Sequence, residues 1–112
     1  MEIKELLISL IKIPSITSDL VINQQCVDWC KDILKSTGIS SNTVNFANRP
    51  ILIWGCNIRD CQILINTHLD VVPASSRAFT PKENGNRITG RGSSDSKSNA
   101  AILLSLEKEV VS

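Results

Sequence analysis

The chain has no tyrosine, two tryptophans, two phenylalanines and a single histidine among its 112 residues. So few aromatic rings exclude a base-stacking platform for single-stranded nucleic acid. Neither sign of charge is in excess. Twelve Lys and Arg stand against eleven Asp and Glu, a net charge of +1, so no strong field exists to recruit nucleic acid or a membrane surface. Long apolar runs are also missing, and none approaches the length of a membrane span. The start, Met1-Glu-Ile-Lys-Glu5, lacks the basic opening and small-residue cleavage site of a secretory signal. A cytoplasmic location is the default expectation, and the four cysteines are then expected to stay reduced. No internal repeat, low-complexity tract or interdomain linker is visible. The length suits one small domain.

Ile3, Leu6, Leu7, Leu10 and Ile11 recur at helical spacing and predict a first helix, which Pro14 ends. Ser15 to Ser18 offers an N-cap for a second helix from about Asp19 to Thr37. Its apolar stripe is Ile22, Cys26, Trp29, Cys30, Ile33 and Leu34, and Gly38 suits the position just past its end. The period then changes. Val44 and Phe46 mark a short strand, Ile51–Trp54 a second and Gln62–Asn66 a third, with residues 57–60 as a hairpin connection between the last two. Residues 73–86 read as loop, with two prolines and an Asn84-Gly85 turn. An extended piece at Arg87–Thr89 follows. A final helix from about Ser96 to Val110 carries Ala100, Leu103, Leu104, Leu106 and Val110. Helix, helix, strands, helix is the order of an α/β fold begun but not finished. Without further strands and helices, a sheet edge or face would stay uncovered.

Two segments carry chemistry. In Asn66-Thr-His-Leu-Asp-Val-Val-Pro-Ala74, the apolar run Ile63-Leu64-Ile65 leads to His68 and Asp70. That predicts a buried strand with both side chains on one face at its C-terminal end. A metal-binding imidazole usually gives its second ring N–H to a carboxylate, and Asp70 is spaced for that. In Thr89-Gly-Arg-Gly-Ser-Ser-Asp-Ser-Lys-Ser-Asn99, Asp95 lies between a glycine turn and a helical run. Gly90 and Gly92 permit backbone that a Cβ would forbid, and a carboxylate presented there is a plausible ligand for a cation.

Blander roles stand beside these. A lone histidine at a strand end is usually just hydrogen-bonded, Asp95 suits an N-cap for the last helix, and Asp70 suits a turn cap before Pro73. Arg91 and Lys97 invite a contact with a substrate carboxylate, but solvated surface charge is the simpler expectation. Ser93, Ser94 and Ser96 have no base positioned to make a nucleophile. Cys26 and Cys30 share a helix face, and Cys56 and Cys61 flank the expected hairpin. Neither pair is a Cys-x-x-Cys knuckle. Core packing as small hydrophobes is therefore favoured over a four-thiolate zinc site.

The two segments together resemble the zinc-dependent aminoacylase / acetylornithine deacetylase / succinyl-diaminopimelate desuccinylase family, with its related carboxypeptidases. That family carries a His-x-Asp-x-x-Pro strand end and then a Gly-Arg-Gly-x-x-Asp-x-Lys turn. Both occur here in that order, 27 residues apart from His68 to Asp95. Phe79-Thr-Pro81 and Glu83-Asn-Gly85 resemble the linking loop, and the N-terminal helices extend the likeness over essentially the whole chain. Where the family has Met-Lys-Gly-Gly or similar after the aspartate, this chain has Ser96-Lys-Ser-Asn99.

The resemblance implies that His68 is a ligand of one zinc, that Asp95 bridges two, and that the catalytic residue Asp70 supports His68. It implies a cis peptide at Asp95–Ser96. The fold implied is the incomplete N-terminal part of a zinc-exopeptidase-like α/β/α sandwich with a mixed sheet. Residues 1–112 would be the N-terminal portion of the catalytic domain, with the dimerisation or lid domain and the C-terminal part absent. The complete site would hold two Zn2+, with Co2+ or Mn2+ as substitutes. Its substrate would be a small N-acyl amino acid or peptide cleaved at an amide next to a carboxylate. No nucleic-acid or membrane partner is expected, and homodimerisation only of a full-length protein. The family's mechanism also needs a general-base glutamate with an adjacent acidic ligand, another acidic ligand and a late histidine. The sequence has no second histidine, and Glu107 and Glu109 are not an adjacent pair. The chain alone is therefore expected to bind zinc poorly and not to turn over substrate. A vestigial or interaction-only remnant is the non-enzymatic alternative.

Overall fold

The computed structural model describes residues 2–55 and 59–110, with side chains through residue 106. Helix α1 spans Ile3–Ile11 and α2 spans Leu20–Ser36. Strands β1 (Ser41–Phe46) and β2 (Arg49–Trp54) form one antiparallel hairpin, and β3 (Lys82–Asn84) and β4 (Arg87–Thr89) form another. A short 3-10 turn at Ser76–Phe79 precedes β3, and α3 (Lys97–Val110) closes the order. The mixture of helices and small sheets is that of an incomplete α/β fold. An isolated parallel bridge joins Ile16 and Val71.

The helices form where apolar spacing demands it. Leu6 and Leu10 of α1, Cys26, Cys30 and Leu34 of α2, and Ala100, Ala101 and Leu104 of α3 meet in one buried cluster. Cys26 and Cys30 serve there as small core residues and are free thiols. The N-cap of α2 is Asp19, not the preceding Ser/Thr run: its carboxylate accepts from the Ile22 N–H at 3.1 Å. At the other end Thr37 caps the helix, and Gly38 takes φ +82° just beyond it.

The strands depart from expectation in pairing. β1 pairs with β2 through a turn at Ala47-Asn48, both at positive φ, with Phe46 opposite Arg49. Successive left-handed residues are what a tight two-residue hairpin requires. The hairpin expected across residues 57–60 falls partly outside the described residues, as do Cys56 and the side chains of Glu107 and Glu109. Residues 62–66 form no strand among the described residues. Ile63, Leu64 and Ile65 are 77%, 63% and 62% exposed, which corrects the buried strand expected from them. A run apolar on both faces is a central strand only with neighbours on either side, and the described residues supply none. Residues 73–86 are not wholly loop, since the short polar β3 pairs with β4 across Gly85-Asn86. An ion pair between Lys4 and Glu83 links this hairpin to α1.

Candidate metal centre

The loop between α1 and α2 organises the site. Pro14 stops α1, and the chain then runs beside residues 69–71. Ser15 Oγ donates to the Leu69 carbonyl at 2.7 Å. Val71 N–H donates to the Ser15 carbonyl, and Thr17 N–H to the Val71 carbonyl, both at 2.9 Å. This short parallel pairing aligns residues 68–70. His68 Nδ1 faces the Asp70 carbonyl at 3.0 Å and Asp70 Oδ1 at 3.3 Å. Its other nitrogen, Nε2, lies 2.9 Å from Asp95 Oδ1. The structure thus brings His68, Asp70 and Asp95 together from two segments, with Asp95 facing His68.

Asp95 is carried by the turn that opens α3, and the Asp95–Ser96 peptide is cis. Gly92, at φ +82°, lets this turn pass close to Val71. Thr67 and Ser96 share a hydroxyl–hydroxyl hydrogen bond of 2.6 Å, so the two segments also meet beside the carboxylates.

Lys97 corrects the expectation of a solvated charge. It is fully buried, and its Nζ donates to the Leu10 and Ile13 carbonyls, each at 2.6 Å. The end of a helix leaves carbonyls without intrahelical partners and carries partial negative charge, which suits an ammonium. Burial lowers the Lys97 pKa below its ordinary value, against an opposing pull from Cys26 and Cys30. The same two thiols hydrogen-bond to each other, which lowers Cys26 and raises Cys30. Arg91 is likewise not freely solvated. It is partly buried, and its Nε is buried with no hydrogen-bond partner.

The electrostatics of His68 balance two effects. Partial burial lowers its pKa. Hydrogen bonds that the ring donates to Asp95 and to the Asp70 carbonyl, with the charges of both carboxylates, outweigh that and leave it raised. The His68–Asp95 pair stands between two open cavities of about 370 Å³ and 430 Å³. The first is walled by Thr17, Asp70, Arg91 and Ser94. The second is walled by Ile65, Asn99 and Ile102.

An imidazole nitrogen and a carboxylate converging from different segments form a donor set of the right chemistry for zinc or a similar divalent ion. In number it falls short. No group of three His, Cys, Asp or Glu side chains able to hold a metal occurs among the described residues. The sequence reading did not single out Ser15 and Thr17 as site-shaping residues. The available signal was Pro14, which ends α1 and frees the next hydroxyls to bond elsewhere.

No curated protein matches the chain. Part of it does match a family model, and that part begins at the exposed apolar run and ends in α3, leaving α1, α2 and the first hairpin outside. Residues 64–111, which carry His68, Asp70 and Asp95, match Peptidase family M20/M25/M40, and this segment is similar to those metallopeptidases.

Proposed function

We propose that residues 1–112 are the N-terminal portion of the catalytic domain of a zinc-dependent hydrolase that cleaves an amide bond next to a carboxylate. An N-acyl amino acid or the C-terminal bond of a peptide is the substrate class. The observation that carries this reading is the approach of His68 Nε2 to Asp95 Oδ1 at 2.9 Å, with Asp70 on the far nitrogen, inside the segment similar to metallopeptidases. In these roles His68 and Asp95 would hold the metal ions, and Asp70 would orient the imidazole through Nδ1. Bound metal ions supply an activated water and polarise the scissile carbonyl. Zinc takes three or four protein ligands. The remaining ligands and the general base therefore come from polypeptide beyond these residues, and the chain alone is inactive.

Zinc titration by calorimetry tests this, with His68→Ala and Asp95→Ala as controls. Four-ligand structural sites bind with about 10–16 kcal/mol, so half the donors should give about 5–8 kcal/mol, a Kd of roughly 1–200 μM. That weak binding should vanish in both variants. Nanomolar binding lost in both would show that the chain completes its own site and would overturn the incompleteness. Binding indifferent to both substitutions would refute the assignment of the ligands.

A further inference from the structure

We infer that Thr17 is a positioning residue for the candidate metal centre: its hydroxyl holds the Asp70 carboxylate and, through it, the ring of His68. The inference rests on the reading of His68 as a ligand.

Thr17 Oγ1 donates to Asp70 Oδ2 at 2.6 Å. A hydroxyl has one proton to give, and the other acceptor in reach, the Val71 carbonyl, is farther at 3.3 Å. The opposite oxygen, Asp70 Oδ1, is the one beside His68 Nδ1. With Oδ2 engaged by the hydroxyl, Oδ1 is held on the imidazole side. The backbone of Thr17 is itself anchored from three directions. Its N–H donates to Val71, and its carbonyl accepts from Arg49 Nη1 at 2.7 Å and from Asn23 Nδ2 at 3.3 Å. The relay therefore runs from a fixed loop through one hydroxyl and one carboxylate to the ring. Asp70 and His68 side chains are 36% and 51% exposed. Without the hydroxyl, the carboxylate is free to turn to water, and the ring keeps the Asp70 carbonyl at Nδ1 and the Asp95 carboxylate at Nε2.

His68 is the sole histidine, so its ring nitrogens are read without ambiguity by 15N NMR. At a pH where the ring is neutral, the Asp70 acceptors support the Nδ1–H tautomer and the Asp95 carboxylate supports Nε2–H, so the ratio of the two reads their balance. Thr17→Val and Thr17→Ala should move the tautomer ratio toward Nε2–H by about two- to tenfold, the worth of one hydrogen bond. Thr17→Ser should restore the wild-type ratio. Thr17 is exposed, so neither substitution empties a core site. Folded Val and Ala variants with the wild-type ratio would overturn the inference. So would loss of the fold in both, which would assign the hydroxyl to stability of the loop. Adding Zn2+ to the wild type separates the two readings. If zinc leaves the His68 signals unmoved, the metal reading fails while the tautomer result still decides the role of Thr17.

Discussion

Three glycines allow the packing of the Asp95 turn to be weighed by substitution. Alanine at Gly38 meets nothing within 4 Å but must hold φ +82°. Its cost is backbone strain alone, roughly 1–2 kcal/mol. Alanine at Gly90 carries no such φ, yet its Cβ would lie 2.6 Å from Ile11 Cγ2. That is an overpacking cost of about 1–3 kcal/mol. Gly92 combines both, with φ +82°, Val71 Cγ1 at 2.7 Å and Lys97 Cδ at 3.2 Å. The neighbours cannot easily step aside. Val71 is fixed by two backbone hydrogen bonds, and the Lys97 stem is pinned at its ammonium. Gly92→Ala should therefore cost roughly the sum of the other two, about 2–5 kcal/mol. Urea unfolding followed by far-UV circular dichroism on the three variants measures this. A Gly92→Ala cost no greater than that of Gly38→Ala would mean the turn is loosely seated and would refute the argument.

Lys97→Met should change stability by less than about 2 kcal/mol. It forfeits two hydrogen bonds of a charged donor but also removes the cost of burying the ammonium. The Leu10 and Ile13 carbonyls keep the Ile13 and Ser15 N–H groups as partners. Because burial holds the Lys97 pKa below 10.5, the unfolded chain binds the proton more tightly than the folded one. Wild-type stability should then gain as pH rises from the folded pKa toward 10.5, and Lys97→Met should lose that gain, as urea melts across alkaline pH would register. Leu64→Lys, at a site 63% exposed, should alter stability by no more than about 0.5 kcal/mol while reducing self-association in sedimentation velocity. A loss above about 2 kcal/mol would mean that the side chain is buried after all.

The helices were legible because their signals are local. Apolar spacing, Pro14 and Gly38 mark ends that lie within a residue or two of those observed. The grouping of His68, Asp70 and Asp95 was legible from the two motifs. What failed depended on partners. Residues 62–66 have a strand's composition, but pairing is a property of neighbours, and none of the described residues provides it. The turn at Ala47-Asn48 was hidden because alanine seldom takes positive φ. Lys97 read as surface because charge normally seeks water. Its burial depends on carbonyls at the end of α1, more than eighty positions earlier in the chain.

That last separation has a kinetic consequence. During synthesis the end of α1 emerges 87 residues ahead of the lysine that anchors it. At roughly 5–20 residues per second, that is about 4–17 s of translation. Through this interval α1 and α2 can form, but the helix that both pack against has not been made. The apolar stripes of the first two helices stay open to whatever else is nearby. The pocket containing His68 is thus fixed only once α3 has emerged, and a chaperone that shields residues 1–36 would govern how much of the protein reaches that stage.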